Sequence, residues 1–194
     1  DYLSVKGLPA LRQAVVDWAK RTEGLDYSPD NVLVGPGTKE LMFLVQLVYY
    51  GDLVIPSPSW VSYAPQARII GRNGRMLPTD AANSWQIPPQ QLDALCAEDP
   101  GKPRLLILNY PSNPTGRTYN GEELKALAAV AREHRLILLS DEIYEHILSD
   151  DAVHFSPAAE PGMAERTIIV NGFSKGYAMT GWRLGWMAGP QPIV

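Results

Sequence analysis

Four short apolar runs most constrain what this chain can fold into: Leu53 to Pro56, Arg104 to Leu108, Leu136 to Leu139 and Thr167 to Val170. Each is nearly continuous in its apolar residues rather than alternating, which marks strands buried on both faces. Weaker strand-like runs occupy Asn31 to Val34, Arg75 to Pro78 and Leu184 to Ala188. Helical segments fall between them. Leu11, Val15, Trp18 and Ala19 recur at helical spacing, with Pro9 suited to the first turn and Gly24 to the stop. Further helices are expected over Leu41 to Tyr50, Val61 to Ile70 and Pro89 to Ala97, while residues 79 to 88 read as loop. Asn120 with Glu123 three residues on forms a capping-box start for a helix through Glu133. Buried strands alternating with helices predict an α/β fold: a three-layer α/β/α sandwich around a mostly parallel sheet of about seven strands.

At 194 residues the chain is long enough for one large domain, and 45% apolar with 20% charged residues is ordinary globular composition. A net charge of -4 with no Lys/Arg block gives no footprint for a nucleic acid. The longest apolar run, Leu41 to Tyr50, contains Gln46 and is too short for a bilayer, so no membrane association is expected. No signal peptide is visible. Cys96 is the only cysteine, which rules out an internal disulfide and fits a reducing, cytoplasmic setting. The chain has no initiator Met, and Asp1-Tyr2-Leu3 starts inside what reads as a structural segment. Gly189 to Val194 stops just after a strand-like run. A piece of a longer protein is therefore expected.

In open α/β sheets ligands bind beyond the carboxyl ends of the strands, and the unusual polar residues fall there. The run to Val34 enters Gly35-Pro36-Gly37-Thr38-Lys39, a strand, glycine-rich turn and helix start that presents backbone N–H groups to an anion. It is not a Walker A loop, because Glu40 follows Lys39 and the glycine spacing differs. Asp141 directly follows Leu136-Ile137-Leu138-Leu139-Ser140. It is either a helix cap or a partly dehydrated partner for a ring nitrogen, which would keep a pyridine protonated. Tyr144 is either a core tyrosine or a donor to a phenolic oxygen. Asn113, in Asn113-Pro114-Thr115-Gly116, belongs to a tight turn that also fixes its amide. Trp60 is a core residue or a stacking surface for an aromatic ring.

The stretch from Ile168 to Gly185 contains Ser174-Lys175 and, eight positions beyond the lysine, Arg183. A lysine after a strand is ordinarily a solvated surface residue. Read with the strand-end groups, Lys175 becomes an amine able to form a Schiff base with pyridoxal 5'-phosphate. Arg183 becomes a guanidinium fork for the phosphate.

Four motifs, in order, resemble the class I/II aminotransferases, the aspartate aminotransferase family of fold-type I pyridoxal-phosphate enzymes. They are Tyr2 with Gly7-Leu8-Pro9 and Leu11-Arg12, then Asn113-Pro114-Thr115-Gly116, then Asp141-Glu142-Ile143-Tyr144, and Ser174-Lys175 with Gly181-Trp182-Arg183-Leu184-Gly185. The resemblance covers nearly the whole chain. It implies that residues 1–194 are the large cofactor-binding domain, without the N-terminal arm and the C-terminal small domain that carries the main substrate-carboxylate arginine. It implies that Lys175 holds the cofactor and moves the proton, and that Asp141 pairs with the pyridinium. Tyr144 and Asn113 would bond the phenolic oxygen, with Asn113 also on the substrate carboxylate, and Trp60 would stack on the ring. Gly37, Thr38, Lys39, Ser174 and Arg183 would hold the phosphate. Tyr2 would reach the phosphate of a neighbouring subunit, which implies a homodimer. Where the family often has a serine three residues before the lysine, this chain has Gly172.

The activity implied is ping-pong transfer of an amino group between an L-amino acid and a 2-oxo acid. The alternatives on the same scaffold are a carbon–sulfur β-lyase and a cofactor-sensing domain of a transcription regulator.

Overall fold

A computed structural model describes residues 3–72, 74–149 and 151–194. Seven strands form one sheet: β1 (Val32–Gly35), β2 (Asp52–Ser57), β3 (Gly74–Pro78), β4 (Arg104–Asn109), β5 (Ile137–Asp141), β6 (Thr167–Gly172) and β7 (Gly185–Ala188). Their spatial order is β1-β7-β6-β5-β4-β2-β3. Every neighbouring pair is parallel except the two that β7 makes, with β1 and with β6. The expected mostly parallel α/β sheet is therefore present, and β7 is the one strand running the other way. The tight path from β6 through Lys175 and Arg183 returns the chain directly beside its own strand, and such a short return makes an antiparallel neighbour.

The helices are α1 (Pro9–Glu23), α2 (Thr38–Val48), α3 (Tyr63–Ile69), α4 (Pro89–Ala97) and α5 (Gly121–Glu133). Strand alternation sorts them into two layers. Leu105, Ile107, Leu139, Ile168 and Val170 face Leu41, Met42 and Val45 of α2 and Tyr63 and Ala67 of α3. Leu106, Leu108 and Leu138 face Leu92 and Leu95 of α4 and Leu124 and Leu127 of α5. Ile169, Trp186 and Ala188 face Val15, Val16 and Ala19 of α1.

Local signals account for the helix ends. Gly24 turns out of α1 with φ of 69°, its N–H bonded to the Lys20 carbonyl at 3.2 Å. The Asn120–Glu123 capping box of α5 is formed in both directions, at 3.0 and 2.8 Å. Two helix starts move from their expected places, and α2 ends at Val48 rather than Tyr50. Helix α2 begins at Thr38 rather than Leu41, because Gly37 adopts φ of 96° and releases the chain straight into the helix. Helix α3 begins at Tyr63 rather than Val61. Within the expected loop at 79–88, a single turn over Ala81–Asn83 is capped by the Asp80 side chain. Among the described residues no helix is long and apolar enough to cross a membrane.

Register brings the functional ends together. Asn109 of β4 lies beside Asp141 of β5, Asp141 beside Val170 of β6, and Gly172 beside Gly185 of β7, which also lies beside Gly35 of β1. One edge of the sheet therefore gathers the carboxyl ends of four strands and the start of the reversed one.

Candidate cofactor site

A cavity of about 290 Å³ opens at that edge, close to the smallest volumes usual for small-molecule sites. Thr38, Lys39, Trp60, Asn113, Asp141, Tyr144, Ser174, Lys175 and Arg183 all line it. These positions span the sequence from residue 38 to residue 183, and sheet register unites them. Gly37 lies just behind, buried under Arg183. Tyr2 lies outside the described residues.

One end of the cavity is built for an anion. The first N–H groups of α2 have no side-chain cap, because Gly37 occupies the cap position. Arg183 sits against this end. Its Nη1 donates to the Thr180 carbonyl at 2.9 Å and its Nη2 to the Pro36 carbonyl at 3.3 Å, which ties the β6–β7 connection to the turn before α2. A Cβ at Gly37 would fall 2.5 Å from Arg183 Nη2, so the guanidinium reaches this place only over a glycine. A Cβ at Gly172 would fall 2.9 Å from Gly185 Cα and from the Leu184 carbonyl oxygen. The close approach of β6 and β7 leaves no room for a serine side chain at that position. Ser174, half-buried on the cavity wall, is one of the hydroxyls nearby, with Thr38 and Thr180.

The other end carries a buried acid. Asp141 is 3% exposed, and burial pushes its carboxyl up to about 6. Two hydrogen bonds act in the opposite sense. The Tyr63 hydroxyl donates to Oδ2 at 2.7 Å, and the Ile143 N–H makes a long contact to Oδ1 at 3.4 Å. Asn109 acts as a clip: its Nδ2 donates to the Asp141 carbonyl at 3.0 Å while its Oδ1 accepts the Asn113 N–H at 2.8 Å. The Asn113 turn is thereby held against the end of β5. Lys175 is exposed, with Nζ 5.8 Å from the centre of the Tyr144 ring, and Lys39 Nζ lies 5.6 Å from that of Trp60.

Tyr63, Asn109, Ile143 and Thr180 also line the cavity and were not among the residues expected from the sequence. Asn109 ends a buried strand just as Asp141 does, and that signal was available. Tyr63 follows Trp60 by three residues, one helical turn, but its bond to Asp141 joins positions 78 apart and has no local signature.

An uncapped helix N-terminus with Arg183, a buried carboxylate and an exposed lysine amine therefore share one cavity, a set suited to an anionic and a cationic group on one ligand. The chain belongs to the class I and II aminotransferase family, whose model matches residues 1–194. The cofactor of that family is pyridoxal 5'-phosphate, and the donor set fits it: cationic groups for a phosphate dianion and a carboxylate for a pyridinium. The chain is 44% identical to an aspartate aminotransferase of Musicola paradisiaca, covering 100% of this chain and 48% of that protein. It is 43% identical to a bifunctional aspartate aminotransferase and glutamate/aspartate-prephenate aminotransferase of Petunia hybrida, covering 100% and 40%. Its fold superposes on the crystal structure of an aromatic aminotransferase from Pyrococcus horikoshii with a TM-score of 0.92, at 38% identity over 100% of this chain and 52% of that one. The chain spans about half the length of these relatives or less.

Proposed function

We propose that these residues are the large cofactor-binding domain of an aminotransferase that exchanges an amino group between an L-amino acid and a 2-oxo acid. The observation that carries the reading is the convergence of Lys175, Asp141, Asn113, Tyr144, Trp60, Arg183 and the α2 N-terminus on one cavity. When bound, pyridoxal phosphate supplies an aldehyde that condenses with amines and a ring that takes up electrons from the substrate carbon.

The chain's own groups divide the remaining work. Lys175 Nζ would hold the cofactor aldehyde and, when free, would act as the base that carries a proton at the substrate carbon. Asp141 would favour a proton on the ring nitrogen. Tyr144 and Asn113 would donate to the phenolic oxygen, Asn113 would also orient the substrate carboxylate, and Trp60 would offer its ring as a stacking surface. The α2 N-terminus with Gly37, Thr38, Lys39, Ser174 and Arg183 anchors the phosphate. Tyr2, a homodimeric assembly and a cytoplasmic setting belong to the same reading on family resemblance.

Aspartate is the amino acid to test first. The curated relatives named above use it by name, and Lys39 places an ammonium on the cavity wall beside Trp60. The names of these relatives also favour transamination over the lyase and regulator alternatives. In the full-length protein with pyridoxal phosphate, a visible absorbance band that Lys175→Ala removes is expected. Amino transfer from aspartate to a 2-oxo acid is expected with it. Survival of the band in Lys175→Ala, or release of pyruvate and ammonia from a β-thio amino acid without any 2-oxo acid, overturns the reading.

A further inference from the structure

We propose that Tyr63 is a positioning residue that sets the charge of Asp141, and through it the proton on the ring nitrogen of the bound cofactor. The inference rests on the site reading above. Tyr63 is 1% exposed and its hydroxyl is, among the described residues, the one side-chain donor to the Asp141 carboxylate, at 2.7 Å. The other oxygen has only the 3.4 Å contact from the Ile143 N–H. A carboxylate with so few donors in a buried place stays ionised only if each donor counts, because desolvation penalises the charged form.

Two features suit a tyrosine to this task. First, it is a neutral donor that keeps its proton: burial and the facing Asp141 hold its pKa well above 10. It therefore stabilises the acid's charge without cancelling it, and Asp141 stays free to pair with a cation in the cavity. Second, Tyr63 opens α3 one turn after Trp60. The two rings pack edge-on at 5.4 Å, and the Tyr63 N–H bonds the Trp60 carbonyl at 3.3 Å. Trp60 and the donor to the acid are thus tied together within one short segment. The Tyr63 hydroxyl and the Ile143 N–H face the acid directly, the charge of the adjoining Glu142 acts on it from the other side of the strand, and Tyr144 acts on Tyr63.

The test uses the full-length protein and two probes: pyridoxal phosphate, and its deaza analogue with carbon in place of the ring nitrogen. Tyr63→Phe removes one oxygen and keeps the packing. It is expected to weaken pyridoxal phosphate roughly 10-fold more than the deaza analogue, the scale of a hydrogen bond to a charged group. In an Asp141→Asn background, Tyr63→Phe is expected to change both affinities equally. The pH at which the bound cofactor's absorbance changes is expected to move in Tyr63→Phe. If Tyr63→Phe weakens both probes equally and leaves that pH unmoved, Tyr63 only packs, and this inference falls while the site reading stands. A wild-type protein that binds neither probe overturns the site reading itself.

Discussion

Asp141 and Glu142 are adjacent buried carboxylates that the end of β5 sends to opposite faces of the sheet. Asp141 faces α3 and the cavity, with one hydroxyl donor and one long backbone contact. Glu142 faces the layer of α1 and α5 and is fully satisfied. Ser140 and Ser156 each donate to its Oε1 at 2.8 Å, and His154 Nε2 lies 3.0 Å from its Oε2. Tyr110 stacks on His154 with ring centres 5.2 Å apart. The two acids share burial and strand and differ in their donors. A group surrounded by donors holds the fold. A group left short of them keeps unspent interaction for a ligand.

The sharpest way to break this contrast is Asp141→Asn. Turnover is expected to fall by on the order of 10³-fold, as for loss of a preorganised charge at a reaction centre. Stability without cofactor is expected to rise. Burial lifts the Asp141 carboxyl from its ordinary 3.8 to about 6. Its contribution to stability is therefore greatest below pH 4 and is lost as pH rises through 6. Well above pH 6 the ionised acid costs about 3 kcal/mol relative to a neutral residue. Chemical denaturation at pH 8 checks the sign, and an Asn variant less stable than wild type would refute it.

Glu142→Ala is expected to do the reverse. It strands two hydroxyls and an imidazole in the core, so stability should fall by about 3 kcal/mol. The Lys175-dependent band of the protein that remains folded should persist. Unchanged stability would mean that Glu142 is as poorly satisfied as Asp141.

The smallest effect sharpens the pH side of the contrast. Burial opposes the charged form of His154, but the hydrogen bond and charge of Glu142, with Glu145 and Glu23, outweigh it and hold its pKa above 6.5. Burial, then Glu142, raises Glu145 to about 7. Both groups contribute stability in full below their unfolded values and lose it as pH rises through the raised ones. The wild-type melting temperature should therefore decline as pH rises past 7, and His154→Gln should reduce that decline. Equal slopes for the two proteins would sink the assignment.

Much of the site was legible in the sequence because strand ends are locally encoded. Asp141, Asn113, Trp60 and Lys175 each stand just past an apolar run, and nine of the expected positions line one cavity. Gly24 and the Asn120–Glu123 pair announced their helix ends because caps are made by residues a few positions apart. The Asp141–Tyr63 bond and the Asn109 clip were not legible, since they depend on which strands become neighbours. The absence of a serine at Gly172 read as a departure from the family pattern. Structure supplies its reason in the contact between β6 and β7.

The sequence by itself determined the α/β class, the parallel core and the residue types waiting at the strand ends, because period, composition and capping act over one or two turns of chain. Tertiary structure decided which of two neighbouring acids is enclosed by donors and which is left facing the cavity. That choice rests on hydrogen bonds across 78 residues for Asp141 and 14 for Glu142, distances no local pattern can encode.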